Sequence, residues 1–259
     1  MNKKAVELFY EEIGQGTPIV FLHGFPLDHT TWQPVARLLK DEARCILPDL
    51  RGHGNSPVIG TEATIQLMAE DVTLLMDKLE IPQAIIVGHS MGGYVALQLA
   101  HSFPDRISGL GLVATRSEPD EPEKAAARLQ SREDVLKIGT STLVESMAAR
   151  LTDDQSILPE LCNVMRRTHP EGVAMAQFAM IQRKDATEWL SQITLPIVVI
   201  AGAKDKIIPE ETMRRMALLC SGKYYSSPTS SHMIPIEDTV LVAHALRGTF
   251  LNNSEQAQN

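Results

Sequence analysis

Short apolar runs alternate with longer amphipathic segments along most of this 259-residue chain. The apolar runs have the length of buried strands, and the longer segments repeat their apolar residues at helical spacing. One such segment begins at Thr64, a residue type that often caps a helix. This alternation predicts an α/β fold in which helices cover both faces of a mostly parallel sheet. The predicted strands cover residues 5–12, 19–23, 45–49, 84–89, 107–114, 197–202 and 223–226.

The pattern changes within residues 115–190, where only helical segments recur. These segments are interrupted at positions such as Gly139 and Pro159, because glycine and proline disfavour the interior of a helix. The alternation of strand and helix then resumes. We therefore expect residues 1–114 and 191–259 to form an α/β core and residues 115–190 to form a helical cap inserted into it.

The charged and apolar residues exclude two classes of partner. With 24 basic and 32 acidic residues the chain has a formal charge of −8, and it contains no long run of Lys or Arg. A nucleic acid is therefore not expected as a partner. No segment approaches the roughly 20 apolar residues that a membrane span needs, so no membrane partner is expected either. The sequence leaves the oligomeric state open.

The three cysteines, Cys45, Cys162 and Cys220, lie far apart in the sequence. None belongs to a CxxC pair or lies beside a loop histidine, so we interpret all three as reduced structural residues. Residues 5–12 alternate polar and apolar side chains and do not form the apolar centre of a secretory signal. We therefore predict a cytoplasmic protein.

The strongest chemical signal is the segment Gly88-His89-Ser90-Met91-Gly92, which follows a predicted strand and precedes a helical segment. A serine at a sharp turn from strand to helix is the arrangement of a nucleophile elbow. The strained backbone of such a serine leaves no room for side chains at the two flanking glycine positions. The sequence therefore predicts that Ser90 is a nucleophile rather than part of an ordinary turn of small residues.

Two backbone N–H groups are candidates for stabilising an oxyanion beside Ser90. Met91 opens the predicted helix, so its N–H lies at the positive end of the helix dipole. Phe25 lies in a loop after the strand at 19–23, and the next residue, Pro26, has no N–H to donate. We expect His23 to brace this loop by hydrogen bonds rather than to transfer a proton.

A serine hydroxyl needs a base, and histidine is suitable because its unperturbed pKa lies near neutrality. For a nucleophile on this kind of turn the chain order is serine, acid, histidine. Only His232 and His244 follow the helical segment and the strand after it. His232 lies in a loop after the last predicted strand, whereas His244 lies within a helical run. We predict that His232 is the base and that His244 is packed or lies on the surface.

The carboxylate that orients the histidine should follow a strand. Asp205 comes directly after the apolar run at 197–202 and is the predicted acid. Its role would be to fix the imidazole tautomer and to stabilise the imidazolium without taking the proton itself. Two alternatives stay open: Asp205 merely caps the helix after Pro209, or Glu118, after the preceding strand, supplies the carboxylate.

These segments together resemble the α/β-hydrolase superfamily, in particular its small carboxylesterase and 3-oxoadipate enol-lactonase-like branch. The resemblance implies an eight-stranded sheet whose second strand is antiparallel, with residues 115–190 as a cap over the site. It also implies that residues 51–56, including His53, are chiefly structural. A serine at position 90 disfavours the relatives with an aspartate nucleophile, the haloalkane dehalogenases and epoxide hydrolases. The matching segments are His23-Gly24-Phe25-Pro26, Asp49-Leu-Arg-Gly-His-Gly-Asn-Ser56, Gly88-His-Ser-Met-Gly-Gly93, Gly202-Ala-Lys-Asp205 and Ser231-His232.

The expected function is hydrolysis of a small carboxylic ester or lactone through an acyl-enzyme on Ser90. No metal and no cofactor are expected, because the sequence has neither a Gly-rich phosphate loop nor a Cys/His cluster with ligand spacing. Two alternatives stay open: a C–C bond hydrolase, perhydrolase or lyase with the same triad, and a small-molecule receptor with a vestigial hydrolase site. Candidates for an apolar substrate pocket, each equally suited to the core, are Phe25, Leu27, Met91, Phe178, Met180 and Trp189.

Overall fold

A mixed sheet of seven strands lies at the centre of the computed structural model, which describes residues 4–251. The strands are β1 Tyr10–Ile13, β2 Thr17–Leu22, β3 Ala43–Pro48, β4 Ala84–His89, β5 Ile107–Val113, β6 Ile197–Gly202 and β7 Lys223–Ser227. Their order in the sheet is β1-β3-β2-β4-β5-β6-β7. Strand β1 is antiparallel to β3, and the other neighbouring pairs are parallel. The predicted α/β class with a mostly parallel sheet is confirmed.

The strand count differs from the expectation drawn from the family resemblance. The described residues form seven strands rather than eight, and the antiparallel strand is the first rather than the second. The first predicted strand is also shorter than expected, because the N–H groups of Val6 and Phe9, before Tyr10, bond to side chains instead of a neighbouring strand. The N–H of Val6 donates to Asp71 Oδ1 at 2.7 Å, and the N–H of Phe9 donates to Ser56 Oγ at 2.9 Å.

Helices cover both faces of the sheet. Those of the described residues are α1 Gln33–Leu39, α2 Ile65–Lys78, α3 Met91–Ser102, α4 Pro122–Ile138, α5 Ser141–Leu151, α6 Leu158–Arg167, α7 Pro170–Ile181, α8 Thr187–Leu190, α9 Glu210–Leu219, α10 Ile234–Glu237 and α11 Thr239–Leu246. Apolar residues of α2, α3 and α9 pack against one face, and those of α1 and α11 pack against the other. Helix α2 begins as predicted, since Thr64 Oγ1 accepts the N–H of Leu67 at 3.0 Å.

The stretch between β5 and β6, which the structure describes in full, contains the five helices α4 to α8 and no strand. The predicted breaks are present: Gly139 follows α4, and Pro159 lies in the first turn of α6. Helix α7 contributes Ala176, Ala179 and Met180 to the same apolar core as α2 and α3. These helices therefore pack directly onto the α/β core, and their role as a cap domain stays a prediction. Within residues 4–251, each helix is too short or too polar to cross a lipid bilayer.

Candidate active site

Ser90 occupies the sharp turn between β4 and α3. Its backbone angles, φ 52° and ψ −113°, lie in a region that residues with a side chain rarely adopt. The turn is held by the core, because the N–H of Ser90 donates to Val113 O at 2.9 Å and the Thr115 hydroxyl donates to Ser90 O at 2.8 Å. The strained turn predicted for Ser90 is confirmed. Sequence reasoning missed Thr115, whose only signal is that it follows the strand next to β4.

The glycines around Ser90 are required by close backbone contacts. A Cβ at Gly88 would lie 2.3 Å from the carbonyl oxygen of Gly92, and a Cβ at Gly92 would lie 2.2 Å from that of Leu22. Real Cβ atoms do not approach backbone oxygens so closely. The predicted steric demand for glycine at both positions is confirmed.

The loop after β2 rests directly against this turn. A Cβ at Gly24 would lie 3.3 Å from Ser90 Cβ and 2.8 Å from His89 Nδ1. The next residue, Phe25, is therefore beside the serine, with only 5% of its surface exposed. Met91 is the first residue of α3, and the first N–H groups of a helix have no acceptor within it. Both candidate oxyanion donors thus belong to segments that adjoin Ser90.

His23 braces the same loop, as predicted. Its Nδ1–H donates to Gly24 O at 2.9 Å, and its Nε2 accepts the N–H of Leu50 at 2.9 Å. Both ring nitrogens are thus engaged with the backbone, and the side chain is fully buried. Burial lowers the pKa of His23, which keeps the ring neutral and suited to this pair of contacts.

Asp205 and His232, which are 27 residues apart in the sequence, are hydrogen-bonded partners. His232 Nδ1–H donates to Asp205 Oδ2 at 2.7 Å. Asp205 Oδ1 accepts the N–H of Ile207 at 2.7 Å and that of Ile208 at 2.9 Å. Burial acts to raise the pKa of Asp205, but the charge and hydrogen bond of His232 and the two N–H groups hold it below its usual value. The pair is therefore arranged as a carboxylate that orients an imidazole.

The alternatives to this pair lie elsewhere. The Glu118 carboxylate is on the surface, 3.7 Å from the Arg215 guanidinium. His244 is exposed on α11 and contacts the ring of Tyr225 edge to face at 6.2 Å. The prediction that His244 is packed or on the surface is confirmed.

The loop that carries His232 is held from two sides. His89, the residue before the serine, donates from Nε2 to His232 O at 2.8 Å, and the two rings lie 5.0 Å apart. On the other side, the N–H of His232 donates to Leu151 O at 3.1 Å, at the end of α5. Burial lowers the pKa of His89 to about 3, so this ring is a neutral support. We assigned no role to His89 from the sequence, because its partner is 143 residues away.

A partly buried glutamate supports the same loop. Glu237 Oε2 accepts the N–H of Ser231 at 2.6 Å, and its other oxygen accepts the Thr152 hydroxyl. Glu237 therefore connects the histidine loop to the residue that follows α5. The apolar surroundings raise the pKa of Glu237.

The segment 49–56 is structural, as the resemblance implies. The Arg51 guanidinium forms a buried pair with the Asp71 carboxylate on α2. Asp49 Oδ2 accepts the N–H of Asn55 at 2.8 Å, and Ser56 Oγ donates to Asp49 O at 2.6 Å. These bonds fold the segment into a tight turn that supports the loop after β2.

One cluster among the described residues has the spacing of metal ligands: Asp28, His29 and Asp49, with ligand atoms within 4.8 Å of one another. Its atoms already bond within the protein. Asp49 Oδ1 accepts both the N–H and the Nδ1–H of His29 at 2.8 Å, and Asp28 Oδ2 accepts from Arg167 at 2.9 Å. The cluster is explained as a hydrogen-bonded turn.

A cavity of about 590 Å³ opens beside the site, between α4, α5, α7 and the loop after β6. Of the residues predicted for a substrate pocket, Phe25 lines this cavity. Leu27, Met91 and Met180 do not line it and are buried in apolar clusters.

The last two predicted pocket residues are engaged elsewhere. Phe178 lies under the Arg132 guanidinium, 5.5 Å from the ring centroid, and Trp189 stacks on His101 with ring centroids 4.0 Å apart. Neither residue lines this cavity, and the substrate pocket itself stays a prediction. The cavity lining combines apolar side chains with five cations: Arg116, Lys124, Arg128, Arg150 and Lys206.

The fold and the site together indicate the family of proteins to which the chain belongs. Residues 17–239 match the alpha/beta hydrolase fold family, and the chain belongs to this family. The chain is 29% identical to 3-oxoadipate enol-lactonase 2 of Acinetobacter baylyi, over 95% of this chain and 94% of that protein.

Solved structures agree with this assignment. A thermophilic esterase from Thermogutta terrifontis, bound to malate, is 36% identical with a TM-score of 0.91, over 93% of this chain and 92% of that chain. The enol-lactonase from Burkholderia xenovorans LB400 is 26% identical with a TM-score of 0.86, over 93% and 95% of the two chains. The predicted resemblance to esterases and enol-lactonases is confirmed.

Proposed function

We propose that this protein hydrolyses a small carboxylic ester or a lactone through an acyl-enzyme on Ser90. The observation that carries the proposal is the meeting of three strand ends at one edge of the sheet. Ser90 follows β4 in a strained turn, and Asp205, after β6, is hydrogen-bonded to His232, after β7. The bond from His89 to the His232 carbonyl fastens the histidine loop to the residue next to Ser90.

In the proposed reaction, His232 Nε2 takes the proton of the Ser90 hydroxyl while Oγ attacks the carbonyl carbon of the substrate. His232 Nδ1–H is committed to Asp205, which leaves Nε2 as the basic nitrogen. The negative charge that develops on the carbonyl oxygen is held by the N–H groups of Phe25 and Met91. The protonated histidine then gives its proton to the leaving alkoxide, and a water molecule, deprotonated by the same histidine, cleaves the acyl-enzyme.

The electrostatics of the pair support these steps. The depressed pKa of Asp205 keeps its carboxylate ionised at neutral pH. A buried carboxylate beside His232 stabilises the imidazolium that forms when the serine is deprotonated. The charge needed during the reaction is therefore in place before the substrate binds.

The names of two relatives support an ester bond, open or cyclic, as the bond that this protein cleaves. One solved relative is named an esterase and another an enol-lactonase. A lactone is an internal ester, so one attack on a carbonyl carbon opens either kind of substrate. We assign the choice among substrates to helices α4 to α8, which act as a cap over the site.

The test combines covalent labelling with a substrate panel. A fluorophosphonate probe should label the intact protein at Ser90, and simple p-nitrophenyl esters and γ- and δ-lactones should be hydrolysed. Ser90→Ala should abolish labelling and lower hydrolysis by about 10⁴-fold or more. Ser141→Ala, at an exposed serine on α5, is the matched control and should change neither.

Two outcomes would contradict the proposal. Absence of labelling and of turnover would favour a receptor with an inert site. Labelling without hydrolysis of any ester or lactone would favour a C–C bond hydrolase, a perhydrolase or a lyase that uses the same residues.

A further inference from the structure

The cavity beside the site is basic although the chain as a whole is acidic. Five cationic side chains line it, and none of its lining residues among those described is a carboxylate, whereas the formal charge of the chain is −8. A concave surface lined by one sign of charge concentrates ligands of the opposite sign. The cavity therefore favours an anionic group.

Carboxylates near this cavity pair with three of its five cations: Asp120 with Arg128 and Lys124, and Asp153 with Lys206. The side chain of Asp120 is buried and lies 2.6 Å from Arg128, 3.1 Å from Arg183 and 3.6 Å from Lys124. Burial and the charge of Arg116 lower the pKa of Lys124 to about 8. Burial is the larger cause of this shift, and the nearby charge of Arg116 is the second.

Arg116 is a partly buried cation of the cavity that has a single hydrogen-bond acceptor. Its Nη2 donates to Ile207 O at 3.3 Å, while its Nε is buried without an acceptor. Within residues 4–251, no carboxylate pairs with Arg116. A guanidinium held by one backbone carbonyl, with free N–H groups, is prepared for a bidentate bond to a carboxylate.

A buried amide adds a second observation. Gln177 on α7 lines the cavity and is only 1% exposed. Its Nε2 donates to Ser131 Oγ at 2.8 Å, and its Oε1 has no partner. In the flipped amide, Oε1 would accept the Ser131 hydroxyl and the NH₂ group would be an unpaired donor at the cavity wall. A buried polar group without a partner is costly, so a ligand that supplies one is favoured.

We propose that this cavity binds a free carboxylate of the substrate, held by Arg116 and Lys124, so that the ester or lactone cleaved on Ser90 carries a second, ionised carboxyl group. The inference rests on the function proposed above and names its substrate class. The cavity adjoins the reacting centre, because Phe25 lines it and the neighbouring Gly24 touches the serine turn. One end of the substrate thus meets the cations while its carbonyl meets the serine.

The first experiment compares substrates that differ only in charge. The mono-p-nitrophenyl ester of glutaric acid, with a free carboxylate, is measured beside its methyl-capped diester, and a second pair carries the carboxylate on the alcohol side. We expect kcat/KM for the anionic member of at least one pair to be about 10-fold higher or more. The preference should shrink as ionic strength rises, because salt screens the attraction.

The second experiment removes single charges. Arg116→Gln should raise KM for the anionic ester about 10-fold and change the neutral ester by less than about 2-fold. Arg150→Gln, at the exposed mouth of the cavity, cannot disturb packing and should act in the same direction with a smaller effect. Arg37→Gln is the control, since Arg37 is exposed on α1 and bonds only to Gln33.

Equal kcat/KM within both substrate pairs, or equal effects of Arg116→Gln on anionic and neutral esters, would overturn the inference. Labelling of Ser90 together with hydrolysis of the neutral ester would then leave the proposed hydrolase function standing. If labelling fails as well, the hydrolase proposal is wrong. The anion site is then tested alone by measuring glutarate binding, which should be saturable in the parent protein and lost in Arg116→Gln.

Discussion

The strand ends that hold the reaction centre and the helices that surround the cavity differ in how their polar groups are partnered. Asp205 accepts three hydrogen bonds, one of them from His232, although both side chains are buried. Around the cavity, Arg116 and Gln177 each keep a buried polar atom without a partner, as does Nδ1 of the supporting His89 beside the proposed nucleophile. An unsatisfied buried group costs about 1–3 kcal/mol, so the ligand proposed for the cavity would complete contacts that the protein leaves open there.

We interpret this difference as a division of roles: the strand ends carry out the proposed reaction, and the cavity recognises the substrate. The strand ends are arranged before any substrate arrives, and a change there should affect every substrate equally. The cavity is the proposed site of the substrate carboxylate, and a change there should affect only substrates of matching charge. The predictions below test this division.

The largest effect is expected for Asp205→Asn. An asparagine keeps the shape but no longer fixes the tautomer or stabilises the imidazolium, so kcat should fall about 10⁴-fold. The loss should be the same for anionic and neutral esters. Asp41→Asn, at an exposed aspartate, is the control and should leave kcat unchanged. A loss confined to one substrate class would contradict the division between the two regions.

Gly92→Ala should have the largest effect on stability. The new Cβ would lie 2.2 Å from the backbone oxygen of Leu22, which cannot move without distorting the sheet. The free energy of unfolding should fall by about 3 kcal/mol, measured by urea denaturation. The control is Gly248→Ala, where the nearest atom to a new Cβ is 3.8 Å away. Equal stability of the two variants would show that the turn is not rigid.

The buried histidines of the core predict a dependence of stability on pH. Burial lowers the pKa of His53 to about 3, against 6.5 in the unfolded chain. Between these values the unfolded chain binds a proton that the native protein does not, so stability falls as the pH falls. The contribution of His53 should be about 1.4 kcal/mol per pH unit.

Variants can isolate this contribution. In His53→Gln, the free energy of unfolding measured between about pH 6 and pH 4 should fall less steeply than in the parent protein. His169→Gln changes an exposed histidine in the helical segment and should keep the parental slope. An unchanged slope in His53→Gln would mean that the ring is already protonated in the native state.

The smallest expected effect is on the free energy of unfolding when a residue that precedes a helix is replaced in each region. Thr64 accepts the N–H of Leu67 at the start of α2, whereas Thr140 makes no side-chain bond at the start of α5. Thr64→Ala should lower the free energy of unfolding by about 1 kcal/mol, and Thr140→Ala by less than about 0.5 kcal/mol. Thermal denaturation of both variants checks the difference. Equal losses would contradict it.

The reaction centre was predictable because its signals are local. Ser90, Asp205 and His232 each follow a strand, and each sits among residues whose types fix the backbone nearby. Parallel strands end at one edge of the sheet, so the sequence predicts all three side chains at that edge, and the structure shows Asp205 bonded to His232. The supports from His89 and Thr115 were not predictable, because each depends on a partner distant in the sequence.

The cavity was not predictable for a different reason. The side chains of α7 are apolar on nearly every side, so its sequence does not show which residues face the site and which face the core. Phe178 and Met180 were therefore chosen as pocket residues, whereas Gln177 lines the cavity. Its cations come from α4, α5 and two loops, and only tertiary packing brings them together.

Helix α5 belongs to both regions. Met147 and Arg150 line the cavity, and the carbonyl of the last residue, Leu151, receives the N–H of His232. One helix thus borders the cavity and holds the backbone of His232, the proposed base. A displacement of α5 that breaks this hydrogen bond would release the histidine loop, so any change in the shape of the cavity at α5 is coupled to the position of the imidazole.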